Sequence, residues 1–210
     1  MIAFNSRLAL RSAKWVGPAV IVLLWTAFTV ASPGSGLSNA GNDSFMFIAI
    51  ACWLTVGIGN IDDQGHRELL AAATGSPARL HRARAVTAFT FANELALIPT
   101  IAGLATAQNP AHAPNPVVIV ITALLLQVAA TAVGVAIGTC LHRPVVDNTG
   151  VALLVSIGAF VVLALLPPLQ HVLRDLNDDR VGRALVAVPV AIVVALGAVV
   201  GAGALADRRN

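Results

Sequence analysis

The chain is 210 residues long, 57% hydrophobic and only 11% charged, with a mean hydropathy of +0.83 and a formal charge of +3. Soluble domains run near ~25% charged, so this composition excludes a water-soluble globule, and its hydrophobicity excludes a disordered chain. An integral membrane protein remains.

A membrane-spanning helix needs about 20 mostly apolar residues. Six such runs follow in chain order: 15–31, 45–61, 86–105, 117–141, 151–166 and 186–206. Ahead of the first, Arg7, Arg11 and Lys14 recur at helical spacing beside Phe4, Leu8 and Trp15. That pattern reads as a short helix lying on the membrane surface with its basic heads at anionic lipid, or equally as an ordinary basic flank. A cleaved leader ending near Ala31 is the lesser alternative for the first run. Between the second and third runs, Glu68 to Thr74 are good helix formers. Gly75 is a natural stop, and Ser76-Pro77 reads as the N-cap and first position of the next helix. Between the fifth and sixth runs, Leu169, Val172, Leu173 and Leu176 recur at helical spacing, predicting an amphipathic helix that rests on the outer membrane surface or dips into it. The fold class is therefore all-α, a single membrane domain over 1–210 with six spanning helices, an interfacial helix ahead of the first, a short helix between the second and third and an amphipathic helix between the fifth and sixth.

Basic residues in short loops set orientation. Ten of the thirteen lie on one set of alternating segments: Arg7, Arg11, Lys14, Arg67, Arg79, Arg82, Arg84, Arg143, Arg208 and Arg209. The loops 32–44 and 106–116 hold none. Arg174, Arg180 and Arg183 stand on the opposite side, offset by Asp175, Asp178 and Asp179. The expectation is a multi-pass cell-membrane protein with both termini cytoplasmic. Arg7, Arg11, Lys14, Arg79, Arg82 and Arg84 are read as anchors for lipid headgroups.

Glu94 is the one acidic residue that this reading puts well inside a span, with Asn93 beside it. Charge at the bilayer centre costs at least ~2.5–3.5 kcal/mol, so Glu94 must face protein or water or carry a proton. It either lines a pathway or makes an interhelical hydrogen bond, with Gln127 and Trp25 as candidate partners. Pro99 can kink the same span. Gly134/Gly138 and Gly197/Gly201 form two GxxxG pairs, read as packing within the chain rather than as a dimer seam.

The run from Asp62 to Arg84 resembles the cytoplasmic coupling region of type-2 ABC transporter permeases. The positions that carry the likeness are Arg67-Glu68-Leu69-Leu70, Ala73-Thr74, Pro77 and the basic stretch Arg79 to Arg84. Gly75-Ser76 stands where the family more often joins Thr directly to Pro. The resemblance implies the membrane subunit of an ATP-driven exporter that moves a hydrophobic or amphiphilic substrate outward. It implies two permease copies, or one copy and a related permease, bound to cytoplasmic ATPase subunits, with ATP and Mg held by those partners. Arg67, Glu68, Leu69, Leu70 and Thr74 would dock on the ATPase. The rivals are a proton-coupled carrier built on Glu94 and a non-transporting accessory or sensor subunit.

No catalytic chemistry is legible. The only lysine, Lys14, precedes Trp15, so no Gly-Lys-Ser/Thr phosphate loop exists. The five histidines, at 66, 81, 112, 142 and 171, are scattered, and Cys52 and Cys140 lie in or beside apolar runs, where structural thiols are expected. The chain itself is expected to bind no metal, cofactor or nucleic acid.

Overall fold

The computed structural model describes residues 2–61, 69, 70, 73, 75–141, 158, 165, 167–178 and 180–208. The described residues form seven helices: α1 (Ile2–Arg11), α2 (Val16–Ala31), α3 (Gly36–Gly59), α4 (Pro77–Ala105), α5 (Pro116–Leu141), α6 (Pro167–Asn177) and α7 (Gly182–Arg208). Four of them, α3, α4, α5 and α7, are long and apolar enough to cross a membrane, and α2 is a shorter apolar helix. Their outward faces are rich in large apolar side chains, among them Leu23 and Leu24 of α2, Val117 and Ile121 of α5, and Val186, Val193 and Val194 of α7. A monomer in water rarely exposes apolar surface on that scale. The expected fifth run, 151–166, lies almost wholly outside the described residues.

The helix boundaries follow local chemistry. Ser35 caps α3, its hydroxyl accepting from the Ser38 amide at 3.3 Å. Ser76 caps α4 and accepts from the Ala78 amide at 3.2 Å, with Pro77 in the first turn as expected. Gly75 adopts φ +76°, the left-handed geometry that a stop between two helices requires. α1 and α2 are separated by a tight turn at Ala13 (φ +53°), closed by Trp15 Nε1 donating to the Leu10 carbonyl at 3.1 Å.

α3 is the central helix. α5 crosses it so closely that a Cβ on Gly138 would stand 2.5 Å from Thr55 Cβ, and one on Gly134 would run into the Ile48 carbonyl. The first GxxxG pair therefore brings two backbones together, as small residues permit. The second does not among the described residues, none of which lies within 4 Å of a Cβ built on Gly197 or Gly201. On α4, Ala85, Ala88, Ala92 and Ala96 form a buried stripe packed with Phe47, Ile50, Leu54 and Ile58 of α3. A second cluster joins Leu37 of α3, Ile119 and Leu126 of α5, Leu176 of α6, and Ala184 and Val188 of α7.

These contacts define two ends. At the α1 end lie Lys14, the last turns of α3 and α5, and the start of α4. At the α6 end lie the starts of α3, α5 and α7 and the last turn of α4. There Gly36 N donates to Asn109 Oδ1 at 2.8 Å, and Gln108 N to the Gly34 carbonyl at 3.0 Å.

Three expectations change. The loop expected at 32–44 shrinks to residues 32–35, because the polar residues after it belong to the first turns of α3, where Asn39, Asp43 and Ser44 are buried. The third apolar run is only part of a helix that starts nine residues earlier, at Pro77. The amphipathic helix α6 is present, but its apolar face meets protein: Leu173 and Leu176 pack over Gly41 of α3, and Ser38 Oγ donates to Asn177 Oδ1 at 2.8 Å.

Candidate functional site

Asp43 is the most unusual side chain in the bundle. It sits seven residues into α3 and is 2% exposed. Trp25 Nε1, from α2, donates to its Oδ1 at 2.7 Å. The Thr29 hydroxyl lies 3.4 Å from the same oxygen while also donating to the Trp25 carbonyl at 3.1 Å. The second carboxyl oxygen, Oδ2, is buried and has no hydrogen-bond partner. It faces Gly103 of α4, where a Cβ would come within 3.3 Å of it. One turn earlier, Asn39 ties α3 to α4 and to the turn before α3: its Nδ2 donates to the Gly103 carbonyl at 3.0 Å and its Oδ1 accepts from Gly34 N at 3.2 Å. Three helices thus converge on one carboxyl at the α6 end. No Lys or Arg side chain appears among the groups that contact it.

A groove of about 270 Å³ runs beside this cluster between α2 and α3, lined by Ile21, Leu24, Trp25, Phe28 and Met46. The Trp25 and Phe28 rings stand 5.5 Å apart, tilted by 33°. Leu24 and Phe28 are mostly exposed, so the groove opens sideways rather than along the bundle axis. Met46 follows Asp43 by three residues on α3, so both sit on the side of the helix that faces α2.

The residues singled out from sequence are placed as follows. Glu94 is on the exposed side of α4 and makes no hydrogen bond with another described residue. Its expected partners are engaged elsewhere. Gln127 is buried, accepts from Thr100 Oγ1 at 2.9 Å and donates to the Asn93 carbonyl at 3.2 Å. Trp25 serves Asp43. Asn93 donates to the Phe89 carbonyl at 2.9 Å, leaving its own Oδ1 buried without a partner. Glu94 is therefore not the sole acidic residue within a span, since Asp43 lies in one too.

Among the proposed lipid anchors, Arg7, Arg11, Lys14, Arg79 and Arg82 are exposed. Arg84 is not: it is 4% exposed and donates from Nη1 to the Gly59 carbonyl at 3.2 Å. It closes the C-terminal end of α3 and ties that end to α4, which takes it away from headgroups. In the expected docking segment, Arg67, Glu68 and Thr74 lie outside the described residues. Leu69, Leu70 and Ala73 are helical, with Leu69 71% exposed.

No family model, curated protein or solved structure matches the chain.

Sequence reading passed over Asp43 because Ser38, Asn39, Asn42, Asp43 and Ser44 together look like a loop. The signal was present. Asn39, Asp43 and Phe47 recur every four residues, and Ser35-Gly36 ahead of them is a capping pair.

Proposed function

We propose that the chain is the membrane-spanning subunit of an ABC-type exporter, with ATP hydrolysed by a separate cytoplasmic partner that docks at the α1 end. The observation that carries this reading is the way α3 and α4 are joined there. α4 is a single helix of 29 residues. At ~1.5 Å per residue it is roughly 43 Å long, well beyond the ~30 Å of hydrocarbon it would cross. Its first turns extend past the apolar stretch and carry Arg79 and Arg82. Arg84 then pins it to the end of α3 through Gly59. Any force applied to the loop between residues 60 and 76 acts on two helices tied together. It travels along unbroken α4 to Gly103, where the Asp43 cluster sits.

Charge supports the same orientation. Arg7, Arg11, Lys14, Arg79 and Arg82 stand at the α1 end, and at the other end Arg183 pairs with Asp175 at 3.3 Å. In this reading the α1 end is cytoplasmic. The chain leaves α5 at the α1 end and re-enters the described structure in α6 at the other, which supports a further crossing by the apolar run 151–166 and six in all.

The test is docking. In cells that also express an ABC ATPase encoded by the same genome, the wild-type chain should co-purify with it and stimulate its hydrolysis. The double substitution Glu68→Arg with Leu70→Asp should abolish both without reducing the amount of chain in the membrane. Co-purification and stimulation unchanged by the double substitution would reject the reading.

A further inference from the structure

We propose that the groove between α2 and α3 binds a lipophilic organic cation, seated against the Trp25 ring, with Asp43 at the indole N–H edge as its counter-charge. The argument begins with what Asp43 lacks. A buried carboxyl normally has donors on both oxygens or a cation beside it. Here Oδ1 receives the indole N–H and lies near a shared hydroxyl, Oδ2 receives nothing, and no basic side chain contacts the group. The free oxygen faces Gly103, the bonded one reaches the groove through the indole, and no described basic side chain supplies a positive charge to the carboxyl. The indole is the one group that both touches the carboxyl and lines the groove. A cation over a Trp face is attracted by the ring's quadrupole. A cation there favours the ionised form of the carboxyl at the indole N–H edge, and inside the bundle the field of that charge is weakly screened. Phe28 supplies a second aromatic wall, and Ile21, Leu24 and Met46 receive apolar substituents.

Depth selects the class of cation. Asp43 lies seven residues past the start of α3, roughly 10 Å along the helix. A small hydrated cation or a lipid headgroup would have to leave water or the interface to reach it. A cation shielded by hydrocarbon or aryl groups partitions to that depth by itself. This binding does not require the ATPase; what rests on the exporter reading is only that the bound cation would be the cargo.

The experiment uses the full-length chain, purified without any ATPase, in zwitterionic-lipid nanodiscs, with binding to empty nanodiscs subtracted. The probe is radiolabelled tetraphenylphosphonium, and its anionic counterpart of the same shape, tetraphenylborate, is the control. The wild-type chain should bind the phosphonium saturably, one per chain, and should bind the borate only in proportion to partitioning. Asp43→Asn keeps an acceptor for Trp25 and should weaken phosphonium binding at least tenfold. Asp43→Glu should keep most of it, and Trp25→Phe should lower it severalfold. Absence of saturable phosphonium binding to the unmutated chain overturns the proposal whatever the variants do. Equal binding of phosphonium and borate, or an unaltered affinity in folded Asp43→Asn, overturns it as well. Because no ATPase is present, failure here leaves the docking test untouched, and failure of docking leaves this one standing.

Discussion

The indole of Trp25 and the carboxyl of Asp43 each complete the other, and each is buried or half-buried where water does not substitute. Removing one partner strands the second. A buried polar group left unpaired costs about 1–3 kcal/mol, whereas replacing an acceptor by another acceptor costs little. Asp43→Ala should therefore lower the thermal unfolding midpoint in detergent clearly, while Asp43→Asn should stay close to wild type. Equal midpoints for the two variants would mean that the 2.7 Å bond contributes nothing. At this scale the amino-acid sequence was a poor guide. Five polar residues among the seven from Ser38 to Ser44 describe a loop by hydropathy, while the spacing of Asn39 and Asp43 describes the inner face of a helix, and only tertiary packing decides between them. Glu94 was misjudged for the related reason. A lone acidic residue in an apolar run demands a partner, but nothing local says which neighbour has already engaged the candidates. Gln127, taken up by Thr100 and the Asn93 carbonyl, is such a case.

Helices in this bundle approach to the distance that their smallest residues allow. Gly134 and Gly138 let α5 lie against the backbone of α3, and the same motif on α7 meets no described residue. Overpacking a tight contact costs typically ~1–3 kcal/mol, while substitutions on an open face stay within about 0.5 kcal/mol. Gly138→Val should thus destabilise the monomer measurably in the same unfolding assay, and Gly201→Val should not. A stable Gly138→Val chain would contradict the crossing described for α3 and α5. The start of α5 was legible almost to the residue, since a hydropathy run and a helix coincide where a polar loop comes before them. The start of α4 was legible in a different signal, the Ser76-Pro77 cap, while hydropathy marked only the portion that suits hydrocarbon. Two identical glycine motifs with opposite fates show why packing was not legible: the spacing licenses a close approach without naming what approaches.

The molecule as a whole is polarised. With Asp43 inside α3, the segments at the α6 end carry Arg174, Arg180 and Arg183 against Asp175, Asp178 and Asp179, and their charges cancel. The α1 end keeps its surplus of arginine. A prediction at this scale concerns sidedness. With Cys52 and Cys140 replaced by Ala, Ala73→Cys and Gln108→Cys each place one thiol at an exposed position, at opposite ends of the bundle. A membrane-impermeant maleimide added to intact cells should label Gln108→Cys and leave Ala73→Cys unlabelled until the membrane is opened. Labelling of both from outside would break the proposed orientation. The multi-helical class was readable from composition alone, because no other architecture accommodates 57% hydrophobic residues with so few charges.

α6 has one more consequence. Leu173 and Leu176 close over the first turns of α3, while α2 and α4 enclose its other side at Asp43. That end of the central helix is roofed, so the straight path from the aqueous phase is blocked by protein. What remains open is the flank between α2 and α3. A molecule reaching Trp25 by that route comes out of the surrounding lipid leaflet, and occupancy follows its concentration in the bilayer rather than in solution. Two compounds at equal aqueous concentration would then fill the groove in the ratio of their membrane partition coefficients multiplied by their intrinsic affinities.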